Sequence, residues 1–309
     1  MNPRLALLLT LPPLLWAGNA VLGRLMVGSI SPLALNGLRW ALAALLLLPL
    51  SWRLLKQTEL LRQRWAYLAL TGFLGMGCYN ALQYQALRSS SALNVTLIAA
   101  SLPVWMLAIG ALLFGVRPQR RQLLGALLSL AGVALVIARG QLTSLAQVHF
   151  VSGDLLMLLA ILSWALYSWL LARPPASMRG EQRPHWDWAE TLMAQLLFGL
   201  VFAGGMAGAE QALGSPAPIA WGSGLALTLI YVAVGPSLIA YRCWGLGVAQ
   251  AGPAVAAFFG NLTPVFAGLM SAALLGEWPQ WYHGAALGLI AAGIWVSSRV
   301  SSRVSPKKA

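Results

Sequence analysis

Acidic residues are scarce in this chain: 7 Asp and Glu stand against 20 Lys and Arg, charged residues make up only 9% of the sequence, and histidine occurs three times. So little charge does not keep 309 residues in solution as two ordinary domains, least of all with 59% hydrophobic residues and a mean hydropathy of +0.73. Two cysteines exclude a disulfide framework, and Cys78 and Cys243 both fall inside apolar runs, where they read as small buried hydrophobes. There is no His-Glu-x-x-His, no Gly-x-Ser-x-Gly, no P-loop and no metal-spaced Cys/His cluster. The chain is therefore read as a non-enzyme with no cofactor and no metal. A net charge of +13 would point to nucleic acid in a soluble protein, but the cations sit in short gaps between apolar runs, so the expected partner is membrane lipid and not nucleic acid.

What is abundant is apolar sequence of membrane-spanning length. Ten runs are read as transmembrane helices: 5–27, 32–52, 65–87, 92–114, 122–138, 154–172, 188–206, 221–246, 253–275 and 281–298, followed by a basic tail, 299–309. Trp begins several of them, where an aromatic belt belongs. The first run has the look of a secretory signal, with Arg4 ahead of a Leu-rich stretch, but it continues apolar through Met26 without an Ala-x-Ala site and is read as an uncleaved helix. Placing the N-terminus inside puts 15 of the 20 Lys and Arg on the cytoplasmic side, with only Arg24, Arg88 and Arg139 outside. Both termini are expected to be cytoplasmic.

The chain repeats itself. Pro103, Val104, Gly115, Pro118, Gln119 and Gly132 recur 161 residues on as Pro264, Val265, Gly276, Pro279, Gln280 and Gly293, while Trp16-Ala17 recurs as Trp164-Ala165 at an offset of 148. The polar loop 172–187, much longer than the connection 28–31 that matches it, takes up the difference. Five spans per half place the second half on the opposite side of the membrane from the first. The expected fold is an all-α polytopic membrane protein of ten transmembrane helices in two inverted five-helix repeats around a central cavity: 1–139, 140–298 and the tail 299–309. Inverted repeats are a carrier architecture, with the solute site near the midplane between repeats; a duplicated scaffold without transport is the alternative.

Trp16-Ala17-Gly18-Asn19-Ala20-Val21-Leu22-Gly23-Arg24, followed by Ser31-Pro32 and Leu38-Arg39-Trp40, resembles the start of EamA-type carriers of the drug/metabolite transporter superfamily. Ser101-Leu102-Pro103-Val104, 125–133, Asn261-Leu262-Thr263-Pro264-Val265-Phe266, Gly276-Glu277 and Tyr282-His283 extend the resemblance over essentially the whole chain. It implies ten helices in two inverted halves, a central cavity, helices three, four, eight and nine as gates, and export of amino acids, other metabolites or drugs; the aromatic-preferring amino-acid exporters of the YddG type are nearest in pattern. The chain departs from the family at Gly115-Val116-Arg117, where Glu commonly follows the Gly, although the second half keeps Gly276-Glu277.

Pro103 and Pro264 sit near the centres of their spans, where each removes a backbone hydrogen bond; the matched pair reads as gating kinks. Gly235-Pro236 and Pro12-Pro13 are weaker instances. Arg39 lies about 10 Å inside the second span at 1.5 Å per residue, and either grips a solute carboxylate, or else snorkels outward or bonds backbone carbonyls and Asn36. Arg242 and Glu190 lie near the cytoplasmic ends of their spans and are expected to pair, as a structural ion pair or a gate latch. In the third span Asn80, Gln83 and Tyr84 share a helix face. With Asn19, Asn94, Trp105, Trp164, Tyr167, Tyr241 and Asn261 they make an aromatic pocket with amide hooks, or else a set of interhelical hydrogen bonds and interfacial rings. Gly284 and Gly288, and Gly125, Ala126, Ala131 and Gly132, read as close helix packing, with a monomer or homodimer expected.

No acid lies mid-span, which favours a neutral, zwitterionic or anionic small-molecule solute over a proton-coupled cation. The reading is an inner-membrane exporter of small metabolites, most of all hydrophobic or aromatic amino acids, working by alternating access without coupling. The alternative is a proton-coupled exporter of organic cations using Glu190, with His283 as a remote titrating candidate.

Overall fold

A computed structural model describes residues 2–26, 28–86, 89–90, 92–141, 143, 151–214, 218–275 and 280–298. Among these residues the chain is helical throughout, with no β-strand. Helices α1 (Pro3–Leu25) and α2 (Pro32–Ser51) are followed by a 3-10 turn, Trp52–Lys56, and the short α3 (Thr58–Gln63). Next come α4 (Trp65–Gly72), a π segment (Phe73–Cys78) and α5 (Tyr79–Ala86), then α6 (Ala92–Ala100), α7 (Leu102–Phe114) and α8 (Arg120–Ile137). The second half has α9 (Ser152–Ala172), α10 (Trp188–Gly214), α11 (Ser223–Val232), a π segment (Ala233–Ile239), α12 (Ala240–Ala251), α13 (Pro253–Gly260), α14 (Thr263–Leu275) and α15 (Trp281–Ser298).

Among the described residues seven helical stretches are long and apolar enough to cross a membrane: Pro3–Gly23, Pro32–Lys56, Arg120–Ile137, Ser152–Ala172, Trp188–Gly214, Ser223–Ala251 and Pro253–Met270. They cover seven of the ten expected spans, and the chain is a multi-pass membrane protein. The other three are less apolar or shorter for visible reasons. The third carries Tyr79, Asn80, Gln83, Tyr84 and Gln85; of the fourth, Leu102–Phe114 is an apolar helix of shorter length; the tenth opens on Trp281-Tyr282-His283 and closes on two serines.

Local chemistry sets the helix ends. Ser31 caps α2 by accepting from Ala34 N at 3.2 Å, with Pro32 in the first turn, where its missing N–H costs nothing. Gly115 ends α7 in the left-handed region, φ 65°, which suits glycine. Asp187 and Glu190 form a reciprocal cap at the start of α10: Asp187 Oδ1 accepts from Glu190 N at 2.8 Å, and Glu190 Oε2 accepts from Asp187 N at 3.0 Å.

At the two expected proline kinks the α-helical ladder is interrupted for one or two residues, which keep right-handed dihedrals (Ser101 φ −73°, ψ −3°; Asn261 φ −71°, ψ −4°). The fourth span stops at Ala100 and restarts at Leu102, with Pro103 in the first turn of α7; the ninth stops at Gly260 and restarts at Thr263, with Pro264 in the first turn of α14. In both, proline sits where a helix tolerates it, so the missing N–H coincides with a new helix start. Pro12 and Pro13, by contrast, lie within an unbroken α1.

Helices α8 and α15 pack antiparallel through small residues. A methyl built on Gly125 would lie 2.7 Å from the Gly293 carbonyl oxygen, and one on Gly132 would lie 2.9 Å from that of Ala286. Close backbone approach of this kind is how helices associate in lipid, where no hydrophobic force drives them together. Gly284 and Gly288 take no part in it, having nothing within 4 Å of a would-be Cβ, because they lie on the outward face of α15. Their expected role in packing is corrected accordingly.

Candidate functional site

The bundle is filled at its centre by aromatic rings. Trp164 on α9, only 4% exposed, touches Trp16 on α1 (centroids 5.2 Å apart), Tyr79 on α5 (5.4 Å), Tyr167 one turn along its own helix (5.2 Å), Tyr241 on α12 (5.4 Å) and Trp244 (5.6 Å). Most of these contacts are tilted or edge-on, the arrangement the ring quadrupole favours, each adding about 0.5–1.5 kcal/mol beyond burial. Room for them is made by glycine: a methyl on Gly75 would come within 2.9 Å of the Tyr167 ring.

Four of these rings place their polar ends on π-segment carbonyls, a serine hydroxyl and a glutamine amide. A π turn leaves carbonyls short of an intrahelical donor. The Tyr241 hydroxyl donates to Gly75 O in the first π segment, and Trp16 Nε1 donates to Pro236 O in the second at 3.2 Å. Trp244 Nε1 donates to Ser168 Oγ at 3.0 Å, and the Tyr167 hydroxyl to Gln195 Oε1 at 3.4 Å.

Arg39 borders this cluster, 2% exposed. It does not run outward, nor does it take Asn36 as an acceptor. Its Nε donates to Ser237 Oγ at 3.0 Å, its Nη1 to Asn19 Oδ1 at 3.5 Å, and its guanidinium carbon lies 5.1 Å from the Trp40 ring centroid. Both hydrogen-bond acceptors are neutral, and among the described residues no carboxylate lies within ion-pair distance. Burying an ion costs several kcal/mol. Charge-assisted hydrogen bonds of about 1.5–3 kcal/mol each and a cation–π contact of about 1 kcal/mol offset that cost without cancelling the charge. Nη2 donates to no described acceptor.

The remaining expected site residues divide. Trp164, Tyr167 and Tyr241 come together in the cluster, with Arg39 and Asn19 beside it; Asn80 is buried on α5, and Gln83 and Tyr84 are half-buried on the same helix. Asn261 and Trp105 serve the helix breaks instead. Asn261 Nδ2 donates to Ala100 O at 3.2 Å and Ser129 Oγ at 2.8 Å, and Trp105 Nε1 donates to Ser101 Oγ at 3.0 Å. The side chain of Asn94, with Gly276, Glu277 and Pro279, lies outside the described residues. Glu190 and Arg242 do not pair: the carboxylate is taken by its cap, and the guanidinium stacks 4.2 Å from the Trp188 centroid. Cys78 and Cys243 are free and half-buried.

Sequence reasoning missed Trp16, Tyr79 and Trp244 as cluster members, Ser237 as an Arg39 partner and Trp40 as its stacking ring. The signal existed for some: Trp16 is the repeat equivalent of Trp164, and Trp244 lies three residues from Tyr241 on one helix face.

The two ends of the bundle are tied across the halves. At one end Arg64 donates from Nε to Ser177 O (3.1 Å) and from Nη2 to Gln182 O (2.8 Å), while Trp186 Nε1 donates to Gln57 Oε1 (2.7 Å), so that loop 173–187 is tied to the two ends of the short α3. Nearby on α3, hydrogen bonds from Arg62 and then Gln63 hold the exposed Glu59 carboxyl below its ordinary value. At the other end Ser31 Oγ donates to Glu210, and Ala220 N donates to Ser29 O at 2.8 Å.

An all-helical, multi-pass architecture with a buried cation beside an aromatic core defines an integral membrane protein. The model of the EamA-like transporter family matches residues 4–138 and again 151–299, and the chain belongs to that family of membrane transporters. It is similar to an uncharacterized transporter of Archaeoglobus fulgidus, 24% identical over 300 residues covering 96% of this chain and 98% of that protein. It is also similar to the uncharacterized inner membrane transporter YedA of Escherichia coli, 27% identical over 285 residues covering 90% and 85%. A solved crystal structure superposes with a TM-score of 0.74 at 21% identity, covering 95% of this chain and 97% of that one, a likeness of fold.

Proposed function

We propose that the chain is a ten-helix exporter in which two inverted five-helix repeats expose one central site alternately, passing small zwitterionic metabolites, above all hydrophobic or aromatic amino acids, down their gradient across a bacterial inner membrane with both termini cytoplasmic. The observation that carries the substrate class is Arg39: a buried guanidinium with neutral partners and one nitrogen unengaged suits a carboxylate that arrives with the solute. The ring cluster beside it offers stacking and apolar area to a side chain.

The inverted repeat is supported by contacts that map onto themselves. Adding 161 to Gly125 gives Ala286, and adding 161 to Gly132 gives Gly293; the close approaches are Gly125 to Gly293 and Gly132 to Ala286. Exchanging the halves therefore regenerates the same pairs, as a two-fold axis across the antiparallel helices requires. The helix breaks and the π segments lie at the same offset, and the family model matches once in each half. Uncoupled transport is supported by the engagement of Glu190 in a helix cap, which leaves no mid-span carboxylate among the described residues.

The test is flux in proteoliposomes loaded in turn with zwitterionic amino acids, organic cations and sugar phosphates, with and without a pH gradient. The expected result is gradient-independent flux of hydrophobic amino acids that falls at least tenfold in Arg39→Gln. Flux restricted to cations and to an imposed proton gradient would overturn the proposal.

A further inference from the structure

Two buried polar atoms among the described residues have no hydrogen-bond partner, and both belong to α2: the Asn36 amide oxygen Oδ1 and the Trp40 indole nitrogen Nε1. Their residues are 1% and 0% exposed. Such atoms are rare in a folded interior, since each forfeits the hydration it had in water with nothing in return. In a membrane, where no solvent lies behind the helix, the cost is greater still.

Their positions join them to Arg39. Residues 36, 39 and 40 are three and four apart on one helix, so their side chains rise from a single face with Cβ atoms about 5–6 Å apart. The Trp40 ring lies under the guanidinium. Asn36 uses only its amide nitrogen, in a long 3.4 Å bond to Met76 O in the first π segment, which leaves the oxygen as a lone acceptor. One helix face thus holds an always-charged donor with a free nitrogen, a second unengaged N–H and an unengaged carbonyl-type oxygen.

We infer that this face is a reader of both charges of the solute: Arg39 Nη2 and Trp40 Nε1 donate to the carboxylate, and Asn36 Oδ1 accepts from the ammonium group. The inference rests on the proposed role of Arg39 and deepens it, because a guanidinium alone takes any carboxylate, whereas Asn36 requires a donor one carbon away from it. The class selected is the free α-amino acid, in preference to a carboxylic acid lacking the amine or an amine lacking the acid. An N-acylated amino acid, whose nitrogen carries no charge and only one hydrogen, is disfavoured on the same ground. Sites built to hydrogen-bond a particular group reject analogues without it more strongly than apolar pockets reject a missing methylene, because the site's own polar atom is left bare.

The experiment compares proteoliposome flux of phenylalanine and of 3-phenylpropionate, which differ only in the amine. Carriers are the wild type, Asn36→Leu, Asn36→Asp, Trp40→Phe and Arg39→Gln, each first checked for a monodisperse profile and an unfolding transition in detergent. In the wild type phenylalanine is expected to move at least tenfold faster than 3-phenylpropionate. Asn36→Leu abolishes that preference by slowing phenylalanine alone, Asn36→Asp keeps it by retaining an acceptor, and Trp40→Phe slows both substrates modestly. Equal flux of the two compounds in the wild type, or an Asn36→Leu carrier that keeps the preference, overturns the inference while leaving Arg39 in place. Unchanged flux of both compounds in Arg39→Gln, or no flux of either in the wild type, overturns the underlying carboxylate site as well.

Discussion

The Asn261 side chain donates to the carbonyl oxygen of Ala100 at 3.2 Å, and the two residues are 161 apart, the offset of the internal repeat. Each is thus the other's counterpart, and each stands at the break of its discontinuous helix. The second half supplies the amide that covers a carbonyl freed in the first. The bond falls where the two halves of the chain meet, and it fastens one interrupted helix to the other.

Replacing Asn261 by Leu leaves Ala100 O and Ser129 Oγ without their donor in a buried setting. A loss of about 1–3 kcal/mol is expected. Thermal unfolding of the purified protein reads it out, and a cycle with Ser129→Ala separates the Ser129 share: that double variant should recover part of the loss, because the stranded hydroxyl is gone.

Gly125→Leu forces a side chain against the Gly293 carbonyl oxygen, where a bare methyl would already lie at 2.7 Å. Overpacking of this kind costs about 1–3 kcal/mol and should lower the melting temperature by several degrees. Gly284→Ala, on the outward face of α15, should change it little, within about 0.5 kcal/mol. Equal effects at the two sites would mean that α8 and α15 do not meet along this seam.

Trp164→Ala removes the ring that touches five others. Truncating a buried aromatic costs about 3–5 kcal/mol, so marked thermal destabilisation is expected, whereas Trp164→Phe should retain most of the stability. The measurement is the unfolding midpoint of both variants in the same detergent.

Arg64→Ala releases loop 173–187 from two of its backbone attachments. Losing about 1 kcal/mol of local stability shifts the open fraction by about fivefold. Tryptic cleavage after Arg179, whose bond to Gly180 is open to trypsin whereas Arg183 precedes Pro184, should accelerate accordingly while the global unfolding midpoint holds. Cleavage at the wild-type rate would show that Trp186 and Gln57 secure the strap by themselves.

Much of this architecture was legible in the sequence because lipid imposes a coarse rule: apolar length, with charges at the ends. The 161-residue offset was legible too, since Pro103 and Pro264 with their flanking residues are rare enough to align by eye. The form of the kink was not. A proline mid-span says that one backbone bond is missing, but whether the helix bends or restarts depends on where its neighbours' bonds go: here Val104 N turns to Ser101 O, and an asparagine from the other half covers the Ala100 carbonyl that Val104 leaves. The Glu190–Arg242 pair failed for a related reason. Opposite charges at neighbouring helix ends invite pairing, yet the Asp187 to Glu190 spacing satisfied a local cap first, and Trp188 beside it offered the guanidinium a ring. Of the candidate site, Trp164, Tyr167, Tyr241, Arg39 and Asn19 converge, whereas Asn261 and Trp105 turned out to serve the helix breaks; hydrogen-bonding capacity alone does not reveal which neighbour uses it.

The two π segments hold a consequence for how the core is aimed. Each is a loose winding with more than one turn's usual complement of residues, and beyond each lie the aromatics of the cluster: Tyr79 after the first, Tyr241 and Trp244 after the second. At 3.6 residues per turn, one residue more or fewer swivels everything downstream by about 100° and shifts it about 1.5 Å along the axis. Tightening either segment to regular α-helix would act like turning a key, swinging α5 or α12 so that its rings leave Trp164 and other faces come to the centre. Single-residue deletions at 73–78 or 233–239 are therefore far from conservative length changes: they set the compass bearing of half a helix.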